Sequence, residues 1–372
     1  MKKISDILQI TIFIFFILGF MVMAFVMPDK EFSQQENRSL AGMPQFTVEG
    51  LKSGKLMKEI ENYLTDQFPF RDSWIAMKSN GEKAMGKTEN NNVFFGKDGV
   101  LVERFDGLNE VLIERNVSAV NKLAESTDLP VYFSLIPGAV SIWENKLPAN
   151  AQNESQKEMI HKIYEKVSCT TVDNYSVLEE HQQEYIFYKT DHHWTTLGAY
   201  YGYTAVTDAM GMMPGNLQDY AVETVSDDFY GTVYSSSGVR WVEPDRIDKY
   251  VTLEGKHVEK IAGTEVSKGV LYDYDKLKVK DKYAFFFGGN TPLLKITSEC
   301  KNGNSLLVIR DSYSDSEIPF LTEHFSEIYM MDLRYYKLGV SRFLEEHKVD
   351  AVLINYSVAN FCKDANIVMM GS

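Results

Sequence analysis

The pattern of apolar and polar positions predicts one membrane-crossing helix at the start of the chain. The stretch Ile7–Met27 carries no charged residue, and roughly 20 apolar residues are enough to cross the hydrocarbon core of a bilayer. Lys2 and Lys3 precede this stretch, a charge placement typical of a cytoplasmic N-terminus. We therefore expect residues 1–28 to be a cytoplasmic tip and an uncleaved signal anchor in the cell membrane. A cleaved signal peptide is the alternative.

Beyond this segment the pattern changes to a polar linker and then to alternating helix and strand signals. Residues 29–50 are polar and rich in turn residues, which is typical of a linker. In residues 51–372, apolar runs with strand character alternate with stretches of helical spacing; the clearest strands are "PVYFSLIP", "SLLVIR", "EIYMMD" and "DAVLINY". This alternation predicts an α/β extracytoplasmic domain with a mostly parallel sheet covered by helices. Residues 215–300 carry short strand patterns punctuated by glycine and predict a β-rich insertion.

Composition narrows the classes of partner. The formal net charge is −14 and no dense patch of Lys and Arg is present, so the sequence argues against nucleic-acid binding. Three cysteines without a C-x-x-C pair do not indicate a zinc ribbon or a redox motif. An aromatic content of 13% indicates a folded protein with a sizeable core.

The stretch Thr190–Tyr200, "TDHHWTTLGAY", gathers an aspartate and two adjacent histidines at one point of the chain. It follows a predicted strand at Tyr185–Lys189 and precedes a predicted helix, for which Thr195 or Thr196 is a suitable N-cap. Three interpretations compete for this stretch: a metal site, a catalytic dyad that needs a nucleophile from elsewhere, and a structural turn in which the aspartate caps the helix.

The spacing of Asp191, His192 and His193 bears on these alternatives. A metal site needs three or more ligands, and no companion Cys/His cluster at ligand spacing is present, so we expect no metal. On an extended loop alternate side chains project the same way. Asp191 and His193 should therefore face one direction and His192 the other.

Ser312 is the candidate nucleophile. It follows the predicted strand Ser305–Arg310, and sites in open α/β sheets gather at the carboxyl ends of the strands. A serine hydroxyl needs a base at neutral pH, which His193 can supply while Asp191 orients the imidazole. The backbone N–H after the serine is the expected donor to a developing oxyanion. The alternative is a solvated serine in a polar turn.

The motifs along the exported part resemble those of the DHHW family of bacterial exported proteins, which look like the AlgX/AlgJ group of SGNH-hydrolase-like polysaccharide O-acetyltransferases. The stretches that carry this resemblance are "ENRSLAGMPQF", "YLTDQFPFRD", "NNVFFGKDGVL", "LIPGAVSIWENKLP", "DHHWTTLGA", "FYGTVYSSSG", "FFFGGNTPLLKI" and "VIRDSYSDS". The resemblance implies a three-layer SGNH-hydrolase-like fold and a triad of Asp191, His193 and Ser312. The block "RDSYS" departs from the "GDS" pattern of ordinary SGNH hydrolases.

Two further stretches contain candidate site residues. Gly289 and Asn290 in "GGN" loosely resemble the oxyanion-hole donors of SGNH enzymes, and a turn that needs positive φ is the alternative. Tyr230 and Tyr234 in "FYGTVYSSSG" are candidates for lining a sugar groove. A plain hairpin is the better prediction for that stretch.

The function that the resemblance implies is a membrane-anchored, extracytoplasmic O-acetyltransferase that modifies a cell-surface polysaccharide through an acetyl-serine intermediate. Acetyl groups would come from a membrane-bound O-acyltransferase partner, and no tightly bound cofactor is expected. The same residues would also serve a carbohydrate acetyl esterase, with water in place of the sugar. A glycan-binding or assembly module without catalysis is the third interpretation.

Overall fold

The computed structural model describes residues 2–252, 255–262 and 265–371, and the chain divides into two compact units. The first unit runs to Lys87 and includes Gly238–Arg240. The second unit contains Thr88–Ser237 and the chain from Trp241 onward. All of the candidate site residues belong to the second unit.

The first unit is mostly helical. Its elements are α1 (Lys2–Val26), β1 (Phe32–Ser33), β2 (Arg38–Ser39), α2 (Val48–Ser53), α3 (Lys55–Asp66) and α4 (Arg71–Ala84). Among the described residues, α1 is the one helix that is long and apolar enough to cross a membrane. That finding rests on length and composition alone.

The second unit is a mixed α/β domain. Its elements are β3 (Glu89–Asn90), β4 (Val93–Phe95), β5 (Leu101–Glu103), α5 (Glu110–Glu125), β6 (Val131–Ile136), α6 (Ala139–Ile142), α7 (Gln156–Tyr164), β7 (Thr170–Val172), α8 (Asn174–Glu180), α9 (Thr196–Ala209), β8 (Ala221–Phe229), α10 (Thr232–Ser237), β9 (Asp245–Val251), β10 (His257–Ala262), β11 (Glu265–Lys268), β12 (Leu293–Thr297), β13 (Ser305–Arg310), α11 (Ile318–Leu321), β14 (Glu327–Met331), α12 (Val340–Glu346), β15 (Ala351–Ser357) and α13 (Val358–Lys363).

Eight strands form the main sheet, in the order β11-β10-β12-β14-β13-β15-β6-β7. The five strands from β14 to β7 are parallel to their neighbours, whereas β12, β10 and β11 extend the sheet in antiparallel pairing. The predicted mixed α/β class with a mostly parallel sheet is therefore confirmed. The three antiparallel strands come from the stretch 215–300.

The middle of this sheet explains where the site forms. All residues of β13 and β15 are buried, and their near-continuous Leu, Val and Ile runs are typical of parallel strands covered on both faces. Because β13, β15 and β6 are parallel, the turns that follow them emerge at the same edge of the sheet. Ser312 lies in the turn after β13.

Two local predictions were wrong. Tyr185–Lys189 is not a strand, because the chain folds back at once: Thr195 N–H donates to Ile186 O (2.9 Å), and a single bridge pairs Phe187 with Trp194. The stretch predicted as a hairpin after β8 instead forms the short helix α10, and β8 pairs with β9 further along the chain. Strands β4 and β5 pair as an antiparallel hairpin.

The loop before α9 is held from beneath by Trp194. The Trp194 side chain is 0% exposed and its indole N–H donates to Tyr313 O at 2.8 Å. Thr195 caps α9 by accepting from Gly198 N–H, as predicted. A Cβ at Gly202 would overlap the Trp194 ring, so glycine is needed there for the helix to pack over the indole.

This packing leads to a first prediction. Gly202→Ala should lower the free energy of unfolding by about 1–3 kcal/mol, because an added methyl must displace a ring that is fully enclosed. Chemical denaturation followed by tryptophan fluorescence measures the change. Asp208→Ala, on the exposed face of the same helix, is the matched control and should stay within about 0.5 kcal/mol of the wild type. Equal stability of the two variants would contradict this account of the packing.

Candidate active site

Three side chains from two distant segments form a continuous chain of hydrogen bonds. His193 Nδ1 lies 2.6 Å from Asp191 Oδ1, and His193 Nε2 lies 2.8 Å from Ser312 Oγ. Asp191 and His193 are buried, while Ser312 is half-buried. One imidazole therefore connects a carboxylate to a hydroxyl that is 119 residues away in sequence. This arrangement can remove the hydroxyl proton and stabilise the resulting imidazolium.

The Asp191 carboxylate is fixed by donors from its own loop and from the start of α10. Oδ2 accepts from Thr232 N–H at 2.8 Å and from the Thr232 hydroxyl at 3.0 Å, while Oδ1 also accepts from His193 N–H at 3.0 Å. Gly231 packs directly against this carboxylate, and a Cβ there would overlap it. A residue with a side chain at position 231 would therefore push Asp191 out of place.

The turn that carries Ser312 is held by a second buried carboxylate. Asp311 Oδ1 accepts from Tyr313 N–H (3.0 Å), and Oδ2 accepts from the N–H and hydroxyl of Ser357 and from the Asn360 amide at 2.7–2.9 Å. These bonds tie the turn after β13 to the start of α13. Because the N–H of Tyr313 is occupied in this way, the predicted oxyanion donor after the serine is not available. Within the described residues the N–H of Ser312 itself has no acceptor.

The His193 ring contacts two other rings. Tyr283 stacks on it with centroids 3.7 Å apart and planes 7° from parallel, and the His192 ring lies 3.9 Å away on a tilted plane. The Tyr283 hydroxyl donates to Ser312 O at 3.0 Å. A single tyrosine therefore contacts the imidazole with its face and the serine backbone with its hydroxyl.

The expectation that His192 faces away from Asp191 was wrong. His192 Nδ1 lies 3.7 Å from Asp191 Oδ1 and 2.6 Å from the Thr232 hydroxyl. The backbone bends at residues 189–193 and is not extended, and Thr232 at the start of α10 contacts both Asp191 and His192. Alternation of side chains applies only to extended backbone.

The environment shifts the pKa of both buried groups. Burial tends to raise the pKa of Asp191, but the positive charges of His192 and His193, the hydrogen bond from His193 and the N–H of Thr232 together lower it. Burial and the neighbouring His192 lower the pKa of His193 to about 4, against the raising effect of Asp191. At neutral pH the imidazole is therefore unprotonated and able to accept a proton.

A metal ion is the other chemistry that the loop allows. Possible ligand atoms of Asp191, His192 and His193 lie within 4.8 Å of one another. In this geometry His193 uses both ring nitrogens, one towards Asp191 and one towards Ser312, and His192 Nδ1 contacts Thr232. A metal would have to replace those hydrogen bonds, so the donor set fits a proton-transfer chain better than a coordination site.

The other predicted site residues are Gly289, Asn290, Tyr230 and Tyr234, and the Tyr234 N–H donates to Thr190 O at 2.8 Å, directly before Asp191. Asn290 Oδ1 is 3.4 Å from Arg334 Nη2. Gly289 adopts φ 102°, which agrees with the alternative interpretation of this stretch as a turn that needs positive φ. In the described part of the chain neither of them contacts Ser312. Tyr230 and Tyr234 pack against each other with ring centroids 4.5 Å apart.

Sequence reasoning missed several residues that shape the site. Gly231 and Thr232 lie within the quoted motif "FYGTVYSSSG", where only the two tyrosines were considered. Tyr283 precedes "FFFGGN", and Asp311 directly precedes the serine. Asp311 could have been found from the sequence, because it directly follows a buried strand, where site residues gather. No local pattern distinguishes Tyr283 from the other aromatic residues around it.

Comparison with known proteins identifies the family. The chain belongs to the DHHW family. The sequence model of that family, described as DHHW protein, matches residues 102–331, which is more than half of this chain. The resemblance to the DHHW family noted from the motifs is thereby confirmed. No curated protein sequence matches this chain at a significant level.

Two solved structures show the same fold. A DHHW family protein from Eubacterium siraeum has 25% identity and a TM-score of 0.65, covering 76% of this chain and 95% of that one. PatB1 of Bacillus cereus, solved with a sulfonyl adduct, has 20% identity and a TM-score of 0.60, covering 74% and 97%. The O-acetyltransferase domain of Pseudomonas putida AlgJ has 13% identity and a TM-score of 0.47, covering 73% and 93%, which is too weak a likeness to bear on activity.

The stacking of Tyr283 leads to a second prediction. Tyr283→Phe keeps the ring but removes the hydroxyl, whereas Tyr283→Leu removes the stacked face that orients His193. The rate at which phenylmethylsulfonyl fluoride modifies Ser312 should fall about 3- to 10-fold in the first variant. It should fall about 100-fold in the second, since small misplacements of reacting groups have effects of that size. Intact-mass spectrometry over time measures both rates.

The control for this experiment is Tyr335→Leu, which alters an exposed tyrosine and should leave the rate unchanged. Circular dichroism shows whether each variant is folded. A folded Tyr283→Leu protein that reacts at the wild-type rate would show that the ring does not orient the imidazole.

Proposed function

We propose that this protein is a membrane-anchored, extracytoplasmic O-acetyltransferase that modifies a cell-surface polysaccharide, with Asp191, His193 and Ser312 as its catalytic triad. The observation that carries the proposal is the His193 ring, whose nitrogens lie 2.6 Å from a buried carboxylate and 2.8 Å from a half-buried hydroxyl. The unprotonated state of His193 at neutral pH supports its role as the base.

The first half-reaction forms an acetyl-serine. His193 Nε2 takes the Ser312 hydroxyl proton while Oγ attacks the carbonyl carbon of the acetyl donor. The tetrahedral intermediate then collapses, the bond to the donor oxygen or sulfur breaks, and the imidazolium returns its proton to that leaving group. Asp191 stabilises the imidazolium through the hydrogen bond at Nδ1.

The second half-reaction transfers the acetyl group to the sugar. A sugar hydroxyl gives its proton to His193 Nε2 and attacks the acetyl carbon, after which Ser312 leaves and recovers the proton. In both steps negative charge develops on the acetyl oxygen. The N–H of Ser312, which has no acceptor among the described residues, is the donor that we assign to this oxyanion.

The location and architecture follow the family resemblance. Helix α1 would anchor the protein in the cell membrane with its N-terminus inside, so that the site faces the polysaccharide outside. The acetyl donor would be supplied by a membrane-bound O-acyltransferase. Helices α5, α7, α12 and α13 cluster apart from α8, α9 and α11, which supports a three-layer SGNH-hydrolase-like arrangement in the second unit.

Removal of the nucleophile or the base gives the third prediction. Ser312→Ala and His193→Ala should lower kcat/KM for a small acetyl ester by roughly 10³-fold or more, because triad members act as a unit. Ser168→Ala and His161→Ala, two exposed positions, are the matched controls and should retain full activity. Ester turnover that persists in the folded Ser312→Ala protein would refute the assigned nucleophile. Transfer of acetate to added oligosaccharide, measured beside hydrolysis, distinguishes a transferase from an esterase.

The lowered pKa of His193 gives the fourth prediction. The base must be unprotonated, so kcat/KM should stay level from about pH 8 down to pH 5 and fall below that, with a midpoint near pH 4. His192→Gln should move the midpoint upward, since a protonated His192 opposes a second proton on its neighbour. Assays after return to pH 7 separate titration from unfolding. A midpoint near 6.5, the ordinary value for histidine, would contradict this reading of the site.

A further inference from the structure

A cavity of about 440 Å³ lies beside the candidate triad, on the side of Asp191 and His192. Its walls are the β4–β5 hairpin and the residues at the starts of α6, α7, α10 and α13, together with Tyr313. Neither Ser312 nor His193 is part of the lining that the described residues form. The cavity is therefore a separate space that shares one wall with the triad.

One buried amide at this cavity has an unused donor. Gln156, at the start of α7, is 2% exposed, and its Oε1 accepts from Gly138 N–H at 2.7 Å. Among the residues that the structure describes, its Nε2 has no acceptor. Because Gln156 lines the cavity, this donor is free to bond to water or to a ligand that enters the cavity.

Gly138 leaves the space in front of this amide open. A Cβ at this position would lie 3.6 Å from Gln156 Nε2 and 3.9 Å from the Tyr313 hydroxyl. The backbone has φ −87° and ψ 168°, which any residue can adopt. The backbone conformation at position 138 therefore does not require glycine. It exposes two polar groups to one common space.

The rest of the lining limits the chemistry of the occupant. Val102, Ala139 and Val233 supply apolar surface, while His192 and Asn360 supply further polar groups. Apolar walls with a few convergent hydrogen-bonding groups suit a sugar ring, which has C–H faces and hydroxyls. The charged side chains of the lining are two acids and two bases, Glu103, Asp191, Arg104 and Lys363, so the cavity has no excess of either sign that would select an ionic ligand.

We propose that this cavity binds a neutral sugar unit of the acceptor polysaccharide, next to the unit that receives the acetyl group. The inference rests on the proposed function and adds the position of an acceptor subsite. Gln156 Nε2 donates to a hydroxyl or carbonyl oxygen of that sugar. A polymer lying across the shared wall places one unit here and presents the next to Ser312.

Two variants test the subsite by different routes. Gly138→Ala puts a methyl in front of the amide without backbone strain. Gln156→Glu keeps an oxygen that accepts from Gly138 N–H but replaces the Nε2 donor with a second oxygen. Gly81→Ala is the control, because a Cβ there meets no atom within 4 Å. Each full-length variant replaces the wild type in cells, and base-labile acetate on the surface polysaccharide is measured.

We expect this acetate to fall at least fivefold in both variants and to stay unchanged in the control. Hydrolysis of 4-nitrophenyl acetate, which needs only the triad, should remain within about twofold of the wild type. Unchanged acetate in both variants would overturn the subsite. If hydrolysis of 4-nitrophenyl acetate falls as much as surface acetate does, the subsite is also overturned. The cavity residues would then act by keeping the triad in place and not by binding sugar. If Ser312→Ala leaves surface acetate at the wild-type level, the proposed function itself fails.

A binding measurement completes the test. Deacetylated oligosaccharides prepared from the same surface polysaccharide are titrated onto full-length Ser312→Ala protein in detergent. The Kd should rise at least tenfold when Gly138→Ala is added to that protein. An equal Kd with and without the added methyl would show that sugar binds elsewhere.

Discussion

The candidate site depends on two carboxylates that are buried but fully hydrogen-bonded. Burial of an ionised group is unfavourable unless donors replace the lost water. Asp191 receives its donors from His193 and Thr232, and Asp311 receives its donors from Tyr313 and the start of α13. The first carboxylate fixes the imidazole and the second fixes the turn that carries the serine. If either network is broken, the distance between base and nucleophile is no longer determined.

These networks join segments that are far apart in the chain. The loop before α9, the turn after β13, the start of α10 and Tyr283 all converge at the carboxyl edge of the sheet. Close approach requires small residues where they meet: Gly231 makes room for Asp191, and Gly202 makes room for the indole beneath the loop. The parallel strands provide a frame on which these hydrogen-bonded groups are held in place.

Much of the fold could be predicted because its signals are local. The apolar run of α1, the runs of β13 and β15, the hairpin of β4 and β5 and the cap of α9 each depend on residues a few positions apart. Helical and strand periodicity, turn residues and caps act over that range. The residue types of the candidate site were also visible, because an acid and two histidines beside a helix start, and a serine after a buried strand, are compact patterns.

By itself, then, the sequence determined the order of helices and strands and the anchor-like segment. It also determined the reactive side chains of the site, which are the acid and histidines before α9 and the serine after β13. Only the tertiary structure decided the direction of His192, the stacking of Tyr283, the need for Gly231 and the occupied N–H of Tyr313. Each of these follows from contacts between residues that lie in different segments, where the partner is set by how the elements pack. Such contacts leave no periodic trace, because the energy of a hydrogen bond or a ring contact depends on distance in space and not on separation along the chain.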